Sequence, residues 1–442
     1  MQKLNPNTIY YTHAFWLDFS FTIIFTINMI YQVEMAHLTP LQLVLVGTAL
    51  ELSAFLFEIP TGVVADVVSR RLSVIVGIFI TSVAFLIQAI PNFWAIAFGS
   101  ALWGLGYTFT SGAHQAWITD EVSAENVGPV FIRAGQFGRA GGLIGIPVSV
   151  ALASWGLQVP IVTGAALILG LGIFLIGWMP ESGFTPTTSA TLSAGTSTGD
   201  KLSPLSASRS RMRETWRAMR ETLSEGFALV RRRPVLRDFM LIGLFVGLYS
   251  EGYDRLWTKH MLDNFTFPVL FGLTPVMWFG VIEFAMTGIS IFSNEIARRR
   301  LDLKDMRQSV TALQWLYGLM VAALIVFAWA KDFPVAVAVL LVFDICRGLT
   351  FPIQDTWTNQ FVDSKVRATV LSFRSQVDAL GQTGGGPVIG AVGNRFGVRA
   401  AISLAGIILL PVVPLYRHLL RRNGNEQLEV SIDQLPDEAL AE

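Results

Sequence analysis

The sequence predicts an all-α membrane protein of about twelve transmembrane helices in two parallel, pseudo-symmetric six-helix halves. Three observations carry this. Of 442 residues, 52% are hydrophobic and only 14% are charged, and the mean hydropathy is +0.53; a soluble chain of this length carries far more charge. Apolar runs of about 20 residues, long enough to cross a bilayer, recur along the chain. A glycine-rich stretch of the first half returns, altered, in the second. Helices follow because an open sheet cannot satisfy its backbone in lipid.

In order, the first half holds spans at approximately 10–32, 41–66, 72–90, 93–117, 130–154 and 157–179. The second holds approximately 236–259, 270–297, 307–330, 333–358, 367–392 and 397–418. The first span is too long for a cleavable signal and lacks a small-residue cleavage site. The domains expected are a six-helix bundle over 1–180, a linker over 181–234, a second bundle over 235–420 and a tail over 421–442.

Basic residues set the orientation. Arg70 and Arg71, Arg298 to Arg300 with Lys304, Lys365 with Arg367, and the tail with Arg417, Arg421 and Arg422 fall on one side. The positive-inside rule makes that side cytoplasmic and puts both termini there. The short loops at Pro91–Asn92 and Gly156–Pro160 are almost uncharged and face out; Arg395 and Arg399 are a minor exception. A plasma (inner) membrane is the expected home.

The central segment has two parts. Thr185 to Ser210 is rich in Ser, Thr, Ala and Gly, the composition of a flexible linker. From Arg211 to Arg233, Met212, Trp216, Met219, Leu223, Phe227 and Val230 recur at helical spacing among arginines. That reads as an amphipathic helix in the membrane interface.

The internal repeat is RAGQFGRAGGLIGIPVSVALASWG, Arg133 to Gly156, against RSQVDALGQTGGGPVIGAVGNRFG, Arg374 to Gly397. Both start on Arg, fill with Gly and a Pro, and end on an aromatic residue plus Gly after the same interval. Two parallel repeats related by an axis along the membrane normal produce such a pattern; shared Gly-rich composition is the alternative, and it does not by itself give the identical spacing of the terminal Arg and Gly.

Between the second and third spans lies FEIPTGVVADVVSRRL, Phe57 to Leu72. It resembles the signature loop of the major facilitator superfamily, roughly G-x-L-A-D-R-x-G-R-K. Gly62, Ala65, Asp66, Arg70 and Arg71 match; Val64 stands for Leu, Val67 for a basic residue and Ser69 for the second Gly. Ser tolerates positive φ less well than Gly. The resemblance implies a conformational latch, in which the Asp caps a helix of the other half and the Arg pairs with an acid near the end of the fourth helix. Asp120 stands at that end. The lead-in LSEGFALVRRRPVLRDF and the GPVIG core of GQTGGGPVIG resemble the drug-efflux, proton-antiporter branch. Gly386, Pro387 and Gly390 belong to that core and allow close packing and bending. The fifth span departs, since Ile146 splits its Gly-Pro pair, and ALWGLGYTF in the fourth lacks the basic residue tied to proton transfer.

Charges inside a membrane cost about 2.5–3.5 kcal/mol at mid-helix on insertion scales, so each asks for a reason. Asp18 in the first span and Glu51 in the second, with Glu58 two turns on, are the carboxylates that could load and release a proton. Arg133, Arg139, Glu283, Asp344, Arg347, Arg374 and Asp378 are candidates for cargo contact or gating. Asp344 and Arg347 are three apart and Arg374 and Asp378 four apart, spacings that allow pairing along one helix. Glu251, Asp254 and Arg255 cluster in the seventh span, and Glu283 has no evident partner on its own helix. Aromatic residues such as Phe21, Phe25, Trp103, Tyr249 and Tyr317 lie within spans, facing lipid, packing helices or lining a greasy cavity. His114 reads as a hydrogen-bonded packing residue.

No catalytic arrangement stands out, and the chain reads as no enzyme. It lacks a Walker loop for ATP, metal-ligand spacing among its five histidines, and any call for a cofactor. Cys346 is alone, which excludes an internal disulfide. Zero net charge gives no reason to expect nucleic acid. The partners expected are the bilayer, a small-molecule substrate and protons. The function expected is secondary transport by alternating access, with proton-coupled export of a small amphiphilic compound preferred. A proton-linked importer of a polar or anionic nutrient, and a non-transporting sensor or scaffold, remain as alternatives.

Overall fold

The computed structural model describes residues 3–184, 234–270, 272–300, 305–361 and 364–423. The expected linker and amphipathic helix over 185–233, Lys304, and the tail beyond Asn423 lie outside the described residues, as do the side chains of Arg298, Arg300, Lys365, Arg367, Arg421 and Arg422.

The described chain is helical throughout. The helices are α1 Pro6–Ile30, α2 Pro40–Val67, α3 Arg70–Gln88, α4 Phe93–Thr110, α5 Ala113–Val122, α6 Val127–Ala153 and α7 Gln158–Trp178. They continue as α8 Pro234–Asn264, α9 Pro275–Arg300, α10 Met306–Trp329, α11 Phe333–Phe361, α12 Ser364–Phe396, α13 Val398–Leu409 and α14 Val412–Asn423. Seven stretches are long and apolar enough by themselves to cross a membrane. Counting α4 with α5 and α13 with α14 as one broken rod each leaves twelve rods among the described residues, the number expected.

Helix ends follow local chemistry. Asn5, Thr39, Ser69, Asn92 and Asp305 each cap the helix that follows, accepting a backbone N–H with their side chains. Thr39 and Gln42 form a reciprocal capping box. The fourth rod, expected to be continuous, breaks at Gly112, whose φ of 68° is left-handed. The last rod breaks before Pro411, where the ring removes a backbone donor.

The repeat has a counterpart in the backbone. Gly156 and Gly397, its two terminal glycines, both adopt positive φ, 142° and 90°. Each turns the chain from a long glycine-rich helix into the next helix, a conformation that a Cβ would strain.

Contacts divide the chain into two compact units, Met1–Arg220 with Arg255–Phe284, and Glu221–Asp254 with Ala285–Glu442. In the first, α1 packs on α6 and α7, and α3 on α4 and α7, while α2 packs on α4. The α1–α6 seam depends on small residues: a Cβ on Gly145 would stand 2.8 Å from Thr22 Cβ, and one on Gly141 would strike the Phe15 carbonyl. Hydroxyls stitch these helices, with Ser149 Oγ donating to the Ile23 carbonyl at 2.6 Å, Ser53 to Ala101 at 2.6 Å and Ser82 to Ala165 at 2.8 Å.

In the second unit α10 packs on α11, α13 and α14, and α12 on α13. There α8 meets α12 through glycines: a Cβ on Gly381 would lie 2.6 Å from the Leu244 carbonyl, and one on Gly385 2.6 Å from Leu248 Cα. Gly386 and Gly390 are buried in α12, which continues unbroken through Pro387. Each unit thus joins two long helices by glycine contact. Large apolar side chains stay exposed on the outside of the rods, and Trp94, Trp155 and Trp329 at rod ends are 76%, 79% and 62% exposed, as aromatic residues at a membrane interface are.

Candidate functional site

The hairpin between α2 and α3 is a two-residue turn, Val68 and Ser69. Ser69 has φ of −175°, ordinary extended backbone, so the turn needs no glycine there. Its hydroxyl instead accepts the Leu72 N–H at 2.9 Å and donates to the Glu181 carboxylate at 2.7 Å. Glu181 also accepts the Arg71 N–H at 2.8 Å, so a carboxylate from beyond α7 sits on the N-terminus of α3.

Arg70 forms an ion pair with Asp120 and donates to the Ala116 carbonyl at 2.9 Å, both on α5. Asp66 lies 3.9 Å from the other side of the same guanidinium. The strand of chain after α7 closes over this cluster. Trp117 Nε1 donates to the Pro180 carbonyl at 2.8 Å, and Glu121 accepts the Ser182 and Gly183 N–H groups at 2.6 and 2.8 Å. Arg71 donates to the Ile176 carbonyl at 2.6 Å, and Lys3 reaches the Met179 carbonyl at 2.9 Å. The Lys3 ammonium titrates below its ordinary range, through burial and then the nearby Arg71 charge. Gly62 has open space where a Cβ would go. Glu121 and Glu181 were not evident from the signature loop; their one sequence signal is a carboxylate placed just after a span.

Of the seven candidates for cargo contact or gating, Asp344, Arg347, Arg374 and Asp378 belong to the second unit. A cavity of about 410 Å³, the size of a small-molecule site, opens among α8, α10, α11 and α12. Arg347, Arg374 and Asp378 line it, with Tyr249, Tyr317, Gln354, Asp355 and Gln382; Asp344 lies one turn before Arg347 on α11 and is not in the lining.

The pairing differs from what spacing along each helix suggests. Arg347 pairs bidentately with Asp254 of α8, one bond being 2.7 Å, and no ion pair joins it to Asp344 among the described residues. Arg374 donates to Gln354 of α11 at 2.6 Å, and its guanidinium lies 4.8 Å from the centre of the Phe239 ring. Gln354 donates onward to the Tyr416 hydroxyl at 2.9 Å, and Tyr416 stacks on Tyr317 at 5.5 Å. Asp378 accepts from Gln382, one turn on, at 2.8 Å. The partners of Arg347 and Arg374 come from neighbouring helices, whose walls face each other across the cavity, whereas Asp378 pairs along its own helix. Gln354 and Gln382 escaped the sequence reading, since a neutral amide in a span draws no attention; Gln354 does fall two turns after Arg347.

The other candidates belong to the first unit. Asp18 is exposed on α1, and its carboxyl occupies the space where a Cβ on Gly138 of α6 would go. Glu51 is half-buried in α2 and Glu283 half-buried in α9, while Arg133 and Arg139 are exposed on α6. Phe21, Phe25 and Trp103 gather around Phe85, with Phe25 and Phe85 5.1 and 5.2 Å from Trp103. His114 is held by rings, 4.4 Å from Tyr10 and 3.8 Å from His13. Cys346 is buried.

The comparisons agree with this architecture. The chain is 22% identical over 397 residues to the "Uncharacterized MFS-type transporter YxaM" of Bacillus subtilis (strain 168), covering 89% of this chain and 91% of that protein. The nucleoside transporter NupG superposes with a TM-score of 0.69 at 14% identity, over 96% of this chain and 100% of the other. A bacterial homolog to the human lysosomal transporter Spinster gives 0.66 at 14%, over 95% and 98%. The sequence profile of the Major Facilitator Superfamily matches residues 14–386. A hairpin of the family's signature type, twelve helical rods and a profile spanning most of the sequence converge on one statement: the chain belongs to the Major Facilitator Superfamily and is a multi-pass membrane transport protein.

Proposed function

We propose that the chain is a secondary transporter that carries a small, polar, charged solute by alternating access and docks it in the cavity among α8, α10, α11 and α12. The observation that supports this reading is the lining, which puts two guanidiniums, two carboxylates and two amides around about 410 Å³. Charges held inside a membrane protein are expensive and mark solute pathways, and a greasy compound would strip them of water for no bond in return.

Asp18 and Glu51 are the proton carriers in this reading, each able to switch charge as access alternates. Gly62, Asp66, Arg70, Arg71 and Asp120 form the latch, with the Arg70–Asp120 pair and the chain after α7 holding it shut. The same reading divides the chain into a bundle over 1–180, a linker over 181–234, a bundle over 235–420 and a tail over 421–442, with both termini on the cytoplasmic side of the plasma membrane.

A second reading, proton-coupled export of an amphiphilic compound, is supported by the Phe21, Phe25, Phe85 and Trp103 cluster of the first unit. Proteoliposomes holding the chain separate the two. Under an imposed pH gradient, movement of charged, water-soluble solutes with no movement of amphiphilic dyes supports the first reading. Dye movement that a protonophore abolishes, with polar solutes static, replaces it by the second.

A further inference from the structure

The cavity's charges are unequal in how they are matched. Arg347 is matched by Asp254, which leaves Arg374 as the lining guanidinium whose partners are an amide and a ring. Only one of its N–H groups is used by Gln354, and a guanidinium has five. On the same helix, one turn on, Asp378 accepts from the amide of Gln382 and forms no ion pair among the described residues. Asp355, next to Gln354 on α11, is a second lining carboxylate.

We propose that the cargo of this cavity is a zwitterion, with an acidic group that docks on Arg374 and an ammonium that docks between Asp378 and Asp355. This deepens the transport reading above and rests on it. A plain anion would meet Arg374 but also two carboxylates, and a plain cation would meet the carboxylates but also Arg374. Each would enter with one like-charge contact uncompensated, which is costly away from water. A molecule that carries both signs satisfies both ends. Arg374 is pre-positioned for its part: the bond to Gln354, itself held by Tyr416, and the Phe239 ring fix the guanidinium before cargo arrives.

The geometry also sets a length. Arg374 and Asp378, four apart on one helix, are offset by about 6 Å along its axis, and that offset is the span proposed between the two charges of the cargo. Short ω-amino acids with a few methylenes between acid and amine match; an α-amino acid, whose charges are adjacent, does not.

The test uses the purified full chain in detergent and measures Kd by intrinsic tryptophan fluorescence. The probes are ω-amino acids from glycine to 6-aminohexanoate, with pentanoate and pentylamine as single-charge controls. The expected result is a Kd that falls with length to a minimum at the middle of the series. At that minimum the zwitterion should bind about tenfold or more tighter than either control, the size of one charge-assisted bond. Asp378→Asn should bring the best zwitterion down to the level of pentanoate while leaving pentanoate unweakened, and Arg374→Gln should weaken both. Unliganded melting curves check that the variants fold, and the length series on the unaltered chain stands without them. Pentanoate binding as tightly as the zwitterions would overturn the proposal while leaving a polar-cargo site in place. Binding of amphiphilic dyes with none of these probes would overturn the polar-cargo reading itself.

Discussion

The Ser69 hydroxyl donates to the Glu181 carboxylate at 2.7 Å while accepting the Leu72 N–H at 2.9 Å. One side chain thus caps α3 and ties the chain beyond α7 to the hairpin. Ser69→Ala removes both bonds and should lower stability by about 1 kcal/mol, the usual cost of a lost cap. Ser69→Gly restores the residue common in the signature loop, and glycine is a tolerable cap, but the Glu181 bond is still lost. Its unfolding midpoint in detergent should fall between those of the wild type and Ser69→Ala. A midpoint above wild type would mean that the turn wants a glycine after all.

The α8–α12 seam predicts a contrast between adjacent glycines. A Cβ on Gly385 would collide with the backbone at Leu248, which cannot move aside, whereas Gly384 has nothing within 4 Å. Gly385→Ala should therefore reduce folded, monodisperse protein recovered by size-exclusion chromatography, and Gly384→Ala should not. Equal recovery of the two would show that the seam is loose.

Arg347 and Asp254 should behave as a unit. Removing one partner leaves a charge in a partly enclosed site, and removing both does not. Asp254→Asn alone or Arg347→Gln alone should each lower the melting midpoint more than the double variant does. Additive losses in the double variant would count against a shared bond.

Proton coupling gives a separable outcome. Asp18→Asn or Glu51→Gln should abolish uptake driven by a pH gradient, yet leave solute exchange without a gradient intact. Gly138→Ala should resemble Asp18→Asn, because its methyl would displace the Asp18 carboxyl. Gradient-driven uptake that survives both carboxylate changes would remove these residues from the coupling path.

Much of the fold was legible because a bilayer reduces the problem to length and hydropathy. The spans expected at 41–66 and 333–358 appear as Pro40–Val67 and Phe333–Phe361. The breaks at Gly112 and before Pro411 were hidden inside apolar runs, since hydropathy does not register a backbone turn. The membrane charges were equally plain, and Arg347, Arg374 and Asp378 do meet in one cavity. Their partners were not plain: Asp254 and Phe239 lie far off in sequence, Gln354 sits on the preceding helix, and which helix faces which is a tertiary fact. Ser69 shows the same limit at short range. The motif suggested a missing glycine, while the chain uses the serine to hold Glu181, more than a hundred residues later.

The most direct measurement is solute counterflow in proteoliposomes, comparing the wild-type chain with Arg374→Gln. Counterflow needs no energy source, so it reads docking and alternation without the coupling step. The account predicts exchange of a labelled polar, charged solute by the wild type, and its loss in Arg374→Gln protein that still reconstitutes. Undiminished exchange by Arg374→Gln would contradict the claim that cargo docks in this cavity.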